Sequence, residues 1–230
     1  MRILIVDNNM DPACWGAAEL RRYATASPDA VVTIRRGPHE DLPENLENFD
    51  KVIVSGSRAS CYEKGPWVSA LDRLIEKSVS LKLPFLGVCY GHQALNRVLG
   101  GSQTLGKSAH PEFGWTKIES LSPSALFQGL PETFYSFSAH FEEVCALPGD
   151  MKNIARSKDC DVQACQYQDL PIYGVQFHPE RNIEAAEKTF SERRKKGEPK
   201  NLLHSKDSVR LFNPKVGETI FKNFLALGGS

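Results

Sequence analysis

The chain has 230 residues, 41% apolar and 24% charged, with 28 basic against 28 acidic side chains and a formal net charge of zero. That length is enough to bury a full hydrophobic core, in one large domain or two small ones. The balanced charge gives no pull toward nucleic acid or an anionic membrane. No stretch approaches the roughly 18 apolar residues of a membrane span, and the apolar run Ile3 to Val6 is too short for a secretory signal. A cytoplasmic protein is expected.

In chain order, Ile3 to Val6 reads as a strand, Ala17 to Ala26 as a helix and Val31 to Ile34 as a second strand. Lys51 to Ser55 is a third strand, ending at Gly56. Trp67 to Val79 is helical, with Val68, Leu71, Leu74 and Ile75 on one face. Pro84 to Cys89 is a fourth strand, followed by a helix from Gly91 to Leu99 that Gly100-Gly101 stops. Further on, Trp115 to Ser120, Thr133 to Phe137, Asn153 to Ser157, Val162 to Tyr167 and Ile172 to Phe177 read as short strands, the fourth half-buried by its alternation. A last helix covers Gly217 to Leu227, capped by Gly228-Gly229.

The alternation of strand and helix argues for an α/β fold. The expected architecture is a flavodoxin-like or Rossmann-like three-layer sandwich, with a mostly parallel central sheet and a small antiparallel edge. Ligands of such sheets sit beyond the carboxyl ends of the strands, where Gly56 and Cys89 stand. Residues 181 to 214 form a charged insertion in a single domain spanning 1 to 230. It reads as a solvated helix and loop with a weak stripe of Ile183, Ala186 and Phe190, or as a lid or docking surface.

Six cysteines, Cys14, Cys61, Cys89, Cys145, Cys160 and Cys165, read as free thiols in a cytosolic protein. Cys160 and Cys165 lack a partner pair at zinc-finger spacing, so no metal site is expected. Local context separates Cys89 from the others. Gly87-Val88-Cys89-Tyr90-Gly91-His92-Gln93 joins a buried strand to a helix. Small residues two positions either side of a nucleophile allow the sharp turn of a hydrolase elbow. The N-terminus of the following helix favours a thiolate and a developing oxyanion. An inert buried cysteine is the alternative for this motif alone. The second motif is Gln176-Phe177-His178-Pro179-Glu180. His178 is suited to deprotonate a thiol and protonate a leaving amine, and Glu180 to fix its tautomer.

Together the two motifs resemble the signatures of class I glutamine amidotransferases. Ser55-Gly56-Ser57 is similar to that family's oxyanion loop, and Ser138 to Val144 to its glutamine-contacting strand. Cys61-Tyr62, Pro66-Trp67 and Pro111 to Trp115 place the resemblance nearest to stand-alone GMP-synthase-like members. The resemblance implies that Cys89 attacks the glutamine side-chain amide, with His178 as base and then acid and Glu180 orienting it. It implies oxyanion donation by the N–H groups of Gly56 and Tyr90, and substrate binding by Gln93, Ser57 and the backbone around Ala139 and Phe141. Glutamate and ammonia would form through a γ-glutamyl thioester, with no cofactor. L-glutamine or another γ-glutamyl compound would be the substrate; the resemblance leaves the ammonia acceptor unidentified, with a separate synthase subunit as a candidate, and no ATP-pyrophosphatase domain is expected in this chain.

Two departures from the family pattern stand out. The oxyanion loop reads Ser-Gly-Ser-Arg where many members have Gly-Gly-Pro, which puts its stiffness in question. The segment after Glu180 is also longer than expected. A γ-glutamyl peptidase using the same triad is the alternative activity, and a non-catalytic binding protein a third reading, opposed by the intact Cys89, His178 and Glu180. His92 is expected to pack and His140 to lie near the site or end a strand. His39, His110 and His204 are expected at the surface, and Trp15, Trp67 and Trp115 in packing positions.

Overall fold

The computed structural model describes residues 1–11, 16–39, 41–195, 197 and 205–228. Cys14, Trp15, His204 and Gly229 lie outside them. In chain order the elements are β1 (Arg2–Asp7), α1 (Ala17–Ala24), β2 (Val31–Arg36), β3 (Lys51–Val54), α2 (Pro66–Ser80), β4 (Phe85–Val88) and α3 (Tyr90–Gly100). They are followed by β5 (Leu105–Ser120), β6 (Thr133–Val144), β7 (Met151–Arg156), β8 (Ala164–Tyr167), β9 (Ile172–Val175), α4 (Ile183–Lys195), α5 (Ser208–Leu211) and α6 (Pro214–Ala226). The last helix starts earlier than its apolar stripe suggests. The Asn213 side chain accepts from the Lys215 N–H and Pro214 fills the first helical position.

One sheet of nine strands runs β2-β1-β3-β4-β9-β8-β7-β5-β6. The five strands β2, β1, β3, β4 and β9 are parallel. Alternate residues along them supply two cores. Ile3, Ile5 and Ile53 face Leu20, Ile220 and Phe221 of α1 and α6, while Leu4, Val6, Val52 and Val54 face Leu71, Ile75 and Leu95 of α2 and α3. The period-2 alternation of a strand thus feeds both faces, as a three-layer α/β arrangement requires.

The antiparallel part is not a small edge. Strands β8, β7, β5 and β6 all pair antiparallel, making the sheet evenly mixed. No helix longer than one turn separates β5 from β9 in the chain, and strands joined by short turns pair antiparallel. This half curls round, so that Phe137 of β6 makes an isolated antiparallel bridge to His178, just past β9. Strand β8 lies inside the sheet, and Ala164 and Cys165 are both buried rather than alternating. Strand β5 begins ten residues before the expected Trp115, and its register against β6 shifts between Lys107 and Glu112.

The described part of the 181–214 segment is not merely solvated. Ala186 and Phe190 of α4 pack with Phe113, Trp115 and Phe137 of the β5–β6 hairpin. The Phe190 ring meets Phe113 edge-on at 5.5 Å and lies 5.6 Å from Phe137. The Trp115 indole donates to Ser208 Oγ at 2.9 Å, and Ser208 donates to Glu187 at 2.6 Å. Replacing Phe190 by alanine empties the centre of this cluster. It is expected to cost about 3–5 kcal/mol, measured as a lowered urea midpoint; an unchanged midpoint would mean that α4 docking is not coupled to global stability.

Candidate active site

Cys89 stands at the junction of β4 and α3 with φ 50° and ψ −100°, an unusual backbone conformation for a residue with a Cβ. The neighbouring glycines make this turn possible. A Cβ on Gly87 would lie 2.5 Å from the Gly91 carbonyl group, and one on Gly91 would lie 2.4 Å from the Val54 carbonyl oxygen. Side chains at either position would push α3 away from the sheet. The Cys89 N–H continues the ladder to the Val175 carbonyl at 2.7 Å. The sulfur-bearing side chain is 5% exposed and opens into a cleft of about 370 Å³.

His178 enters from the end of β9. Its N–H donates to the Phe137 carbonyl at 2.7 Å, which ties its backbone to β6. Its Nδ1 lies 2.7 Å from Glu180 Oε1, and it shares a hydrogen bond with Cys89. All three side chains are at most 5% exposed. Burial favours the neutral ring, but the Glu180 carboxylate and the Cys89 sulfur outweigh it and raise the His178 pKa to about 9. The Cys–His–Glu arrangement has the geometry of a nucleophile, a base and a group that orients the base.

Gly56 follows β3. A Cβ there would meet His178 Cε1 at 3.0 Å and Cys89 Cβ at 3.5 Å, so this glycine leaves room for the imidazole. The Ser55 hydroxyl donates to the Gly56 carbonyl at 2.8 Å and accepts from the Asn8 N–H at 2.9 Å, fixing the peptide. Beyond it the loop, which lacks the family's proline, is held by side chains. Ser57 Oγ donates to the Asn8 carbonyl at 2.7 Å and accepts from the Ala59 N–H. The Glu142 carboxylate of β6 accepts from Ser60 Oγ at 2.6 Å and from the Cys61 N–H at 2.7 Å.

Cys89, His178, Gln93, Ser57, Ala139 and Phe141 line one cleft. Gly56 adjoins it, and Glu180 is buried behind His178. Tyr90 contributes position rather than its ring, which stacks on Trp67 at 5.8 Å in the α2–α3 layer. Burial pushes its hydroxyl pKa up to about 12. As the first residue of α3, its N–H has no intrahelical partner to claim.

The sequence left out one wall of the cleft. Thr189, Glu192 and Arg193 of α4 line it opposite the loop after β3, and Arg58 pairs with Glu192 at 3.4 Å. Arg193 lies 3.9 Å from the Phe113 ring centre and 5.1 Å from that of Phe141. The stripe Ala186 and Phe190 is the signal that sets α4 down here.

The other histidines divide as their surroundings dictate. His92 is fully buried, with Nδ1 3.5 Å from Cys165 Sγ, and burial lowers its pKa to about 3. His140 pairs with buried Glu112 at 2.9 Å beside the cleft. His39 and His110 are exposed, while Trp67 and Trp115 are buried. The five described cysteines are free thiols. Among the described residues no group of three or more His, Cys, Asp or Glu side chains is placed to hold a metal. None of the described helices is long and apolar enough to cross a membrane.

The sequence and the fold match a known class. The family model described as "Glutamine amidotransferase class-I" matches residues 20–195. The chain belongs to the class I glutamine amidotransferase family. It is similar to the glutamine-hydrolyzing GMP synthase subunit of Pyrococcus furiosus, with 38% identity over 147 residues, covering 63% of this chain and 77% of that one. It is also 38% identical to the corresponding GMP synthase subunit of Pyrococcus abyssi over 109 residues, 47% of this chain, and spans only 57% of that relative's length. A glutamine amidotransferase from Methylobacillus flagellatus shares the fold, with a TM-score of 0.82 at 19% identity, covering 97% of this chain and 94% of that one.

The raised His178 pKa has a consequence for stability. Its contribution is fully present below the ordinary value of 6.5 and is lost as pH rises through about 9. In Glu180→Gln the histidine should titrate at lower pH and the alkaline loss should shrink. Proton NMR of the imidazole and melting temperatures across the alkaline range measure both. A titration midpoint unchanged from the parent protein would exclude Glu180 as the source.

Proposed function

We propose that this protein hydrolyses the side-chain amide of L-glutamine through a thioester on Cys89. The observation that carries the reading is the buried line of Cys89, His178 and Glu180 opening onto one cleft. The Cys89 sulfur attacks the amide carbon as a thiolate, its proton already held on the His178 ring. The oxyanion forms beside Gly56 and the start of α3, where the N–H groups of Gly56 and Tyr90 stabilise it. As the C–N bond breaks, His178 gives its proton to the departing ammonia. Water, deprotonated by the same histidine, then opens the γ-glutamyl thioester to glutamate. Glu180 holds the ring in one tautomer throughout.

Gln93, Ser57 and the β6 backbone around Ala139 and Phe141 form the substrate end of the cleft in this reading. Residues 1–230 act as one amidotransferase domain, with α4 of the 181–214 insertion walling the site. The matched archaeal relatives are named as glutamine-hydrolyzing subunits of GMP synthase, which supports delivery of ammonia to a separate synthase partner. A second reading, hydrolysis of γ-glutamyl peptides or amides, draws on the polar wall of Arg58, Thr189, Glu192 and Arg193, which extends the cleft beyond the thiol.

The test incubates the protein with glutamine, alone and with the ATP-pyrophosphatase component of a GMP synthase, and follows glutamate and ammonia. Turnover is expected, falling at least about 10⁴-fold in Cys89→Ala and about 10⁴-fold in Glu180→Gln. No glutamate in either mixture would rule out the first reading. A tenfold or greater preference for γ-glutamyl peptides, about 1.4 kcal/mol, would favour the second.

A further inference from the structure

Gln176 is fully buried just past the end of β9, two residues before His178. Its Nε2 lies 3.5 Å from Cys89 Sγ, and its Oε1 lies 3.1 Å from Gln93 Nε2. The same Gln93 nitrogen lies 2.6 Å from the Glu142 main-chain carbonyl. A main-chain carbonyl only accepts, so the Gln93 atom facing it is the NH₂. That nitrogen in turn requires the oxygen of Gln176 to face it. The Gln176 NH₂ is thereby left pointing at the sulfur. One backbone carbonyl on β6 sets the direction of two amides.

We propose that Gln176 is a catalytic residue that donates a hydrogen bond to the Cys89 thiolate, and that Gln93 and the Glu142 carbonyl lock it in the donating orientation. The proposal rests on the reading of Cys89 as the nucleophile. A donor to an anionic sulfur favours the charged form, and a fixed amide supplies it with no change in net charge. His178, on the same sulfur, is then not the sole group that stabilises the anion. The other titratable and charged groups near the sulfur are Glu180 behind His178, His140 and Glu142 on β6, and Arg58 after β3. Among the described residues, Glu192 and Arg193 on α4, the buried Arg181 next to Glu180 and the buried His92 on α3 also lie around it.

The test is the pH profile of Cys89 alkylation by iodoacetamide, read at that residue by mass spectrometry, in the full chain and in Gln176→Leu and Gln176→Glu. Leu removes the donor with little change of volume. Glu keeps the shape and faces the sulfur with an acceptor, and serves as the comparison if the Leu variant fails to fold. The profile midpoint is expected to move up by about one pH unit in the Leu variant, the size set by a charge-assisted hydrogen bond, and further in the Glu variant, where a carboxylate faces the anionic sulfur. A merely structural role would change the plateau rate through exposure and leave the midpoint in place. Midpoints that superimpose on the parent profile in a folded variant would overturn the proposal. Because the readout is alkylation, absence of glutamine turnover would defeat the proposed activity without touching this result.

Discussion

The closeness of α3 to the sheet governs the geometry of everything at the site. With Gly91 pressed on the Val54 carbonyl and Gly87 pressed on Gly91, there is no room for a Cβ at either position. The chain between them must turn within one residue, and Cys89 takes the unfavourable backbone angles that result. Such a conformation costs on the order of 1–3 kcal/mol and persists only where the surroundings over-determine it. Here the buried strands on either side of β4 do so. The same turn lifts the sulfur out of the strand and sets the first turn of a helix beneath it. Position, exposure and local electrostatics of the thiol therefore come from a single packing requirement.

Around that fixed point the two halves of the sheet contribute different things. The parallel half holds the nucleophile and the loop of Gly56. The antiparallel half, through β6, holds the backbone of His178, the clamp of Glu142 on Ser60 and Cys61, and the carbonyl that orients Gln93. Glu142 serves both with its side chain and with its main chain. The loop after β3 gains from these hydrogen bonds the definition that a proline would otherwise provide.

The parallel half was legible in the sequence because its strands and helices follow clean periods of 2 and 3.6, with glycines at their ends. The motif residues Cys89, His178, Gln93, Ser57, Ala139 and Phe141 fall around one cleft for the same reason: each stands at the end of a readable strand or beside it. The first part of β5 was not legible. Gly106, Lys107, Ser108, His110 and Pro111 lack alternation, and the register against β6 slips there. The role of α4 was hidden by composition, since only Ala186, Thr189 and Phe190 are buried in a helix otherwise dominated by charge. The orientation of Gln176 is not a local property at all. It is fixed by Gln93, 83 positions away, and by the Glu142 carbonyl that orients Gln93.

The bridge between Phe137 and His178 closes the curled half of the sheet upon itself. Closure joins segments that are distant along the chain and already separated by three intervening strands, so it belongs to the slow, non-local part of folding. Until it forms, the His178 backbone lacks its tie to β6 and the imidazole is not held against Cys89. The meeting of Cys89 and His178 therefore arrives only with the completion of the fold.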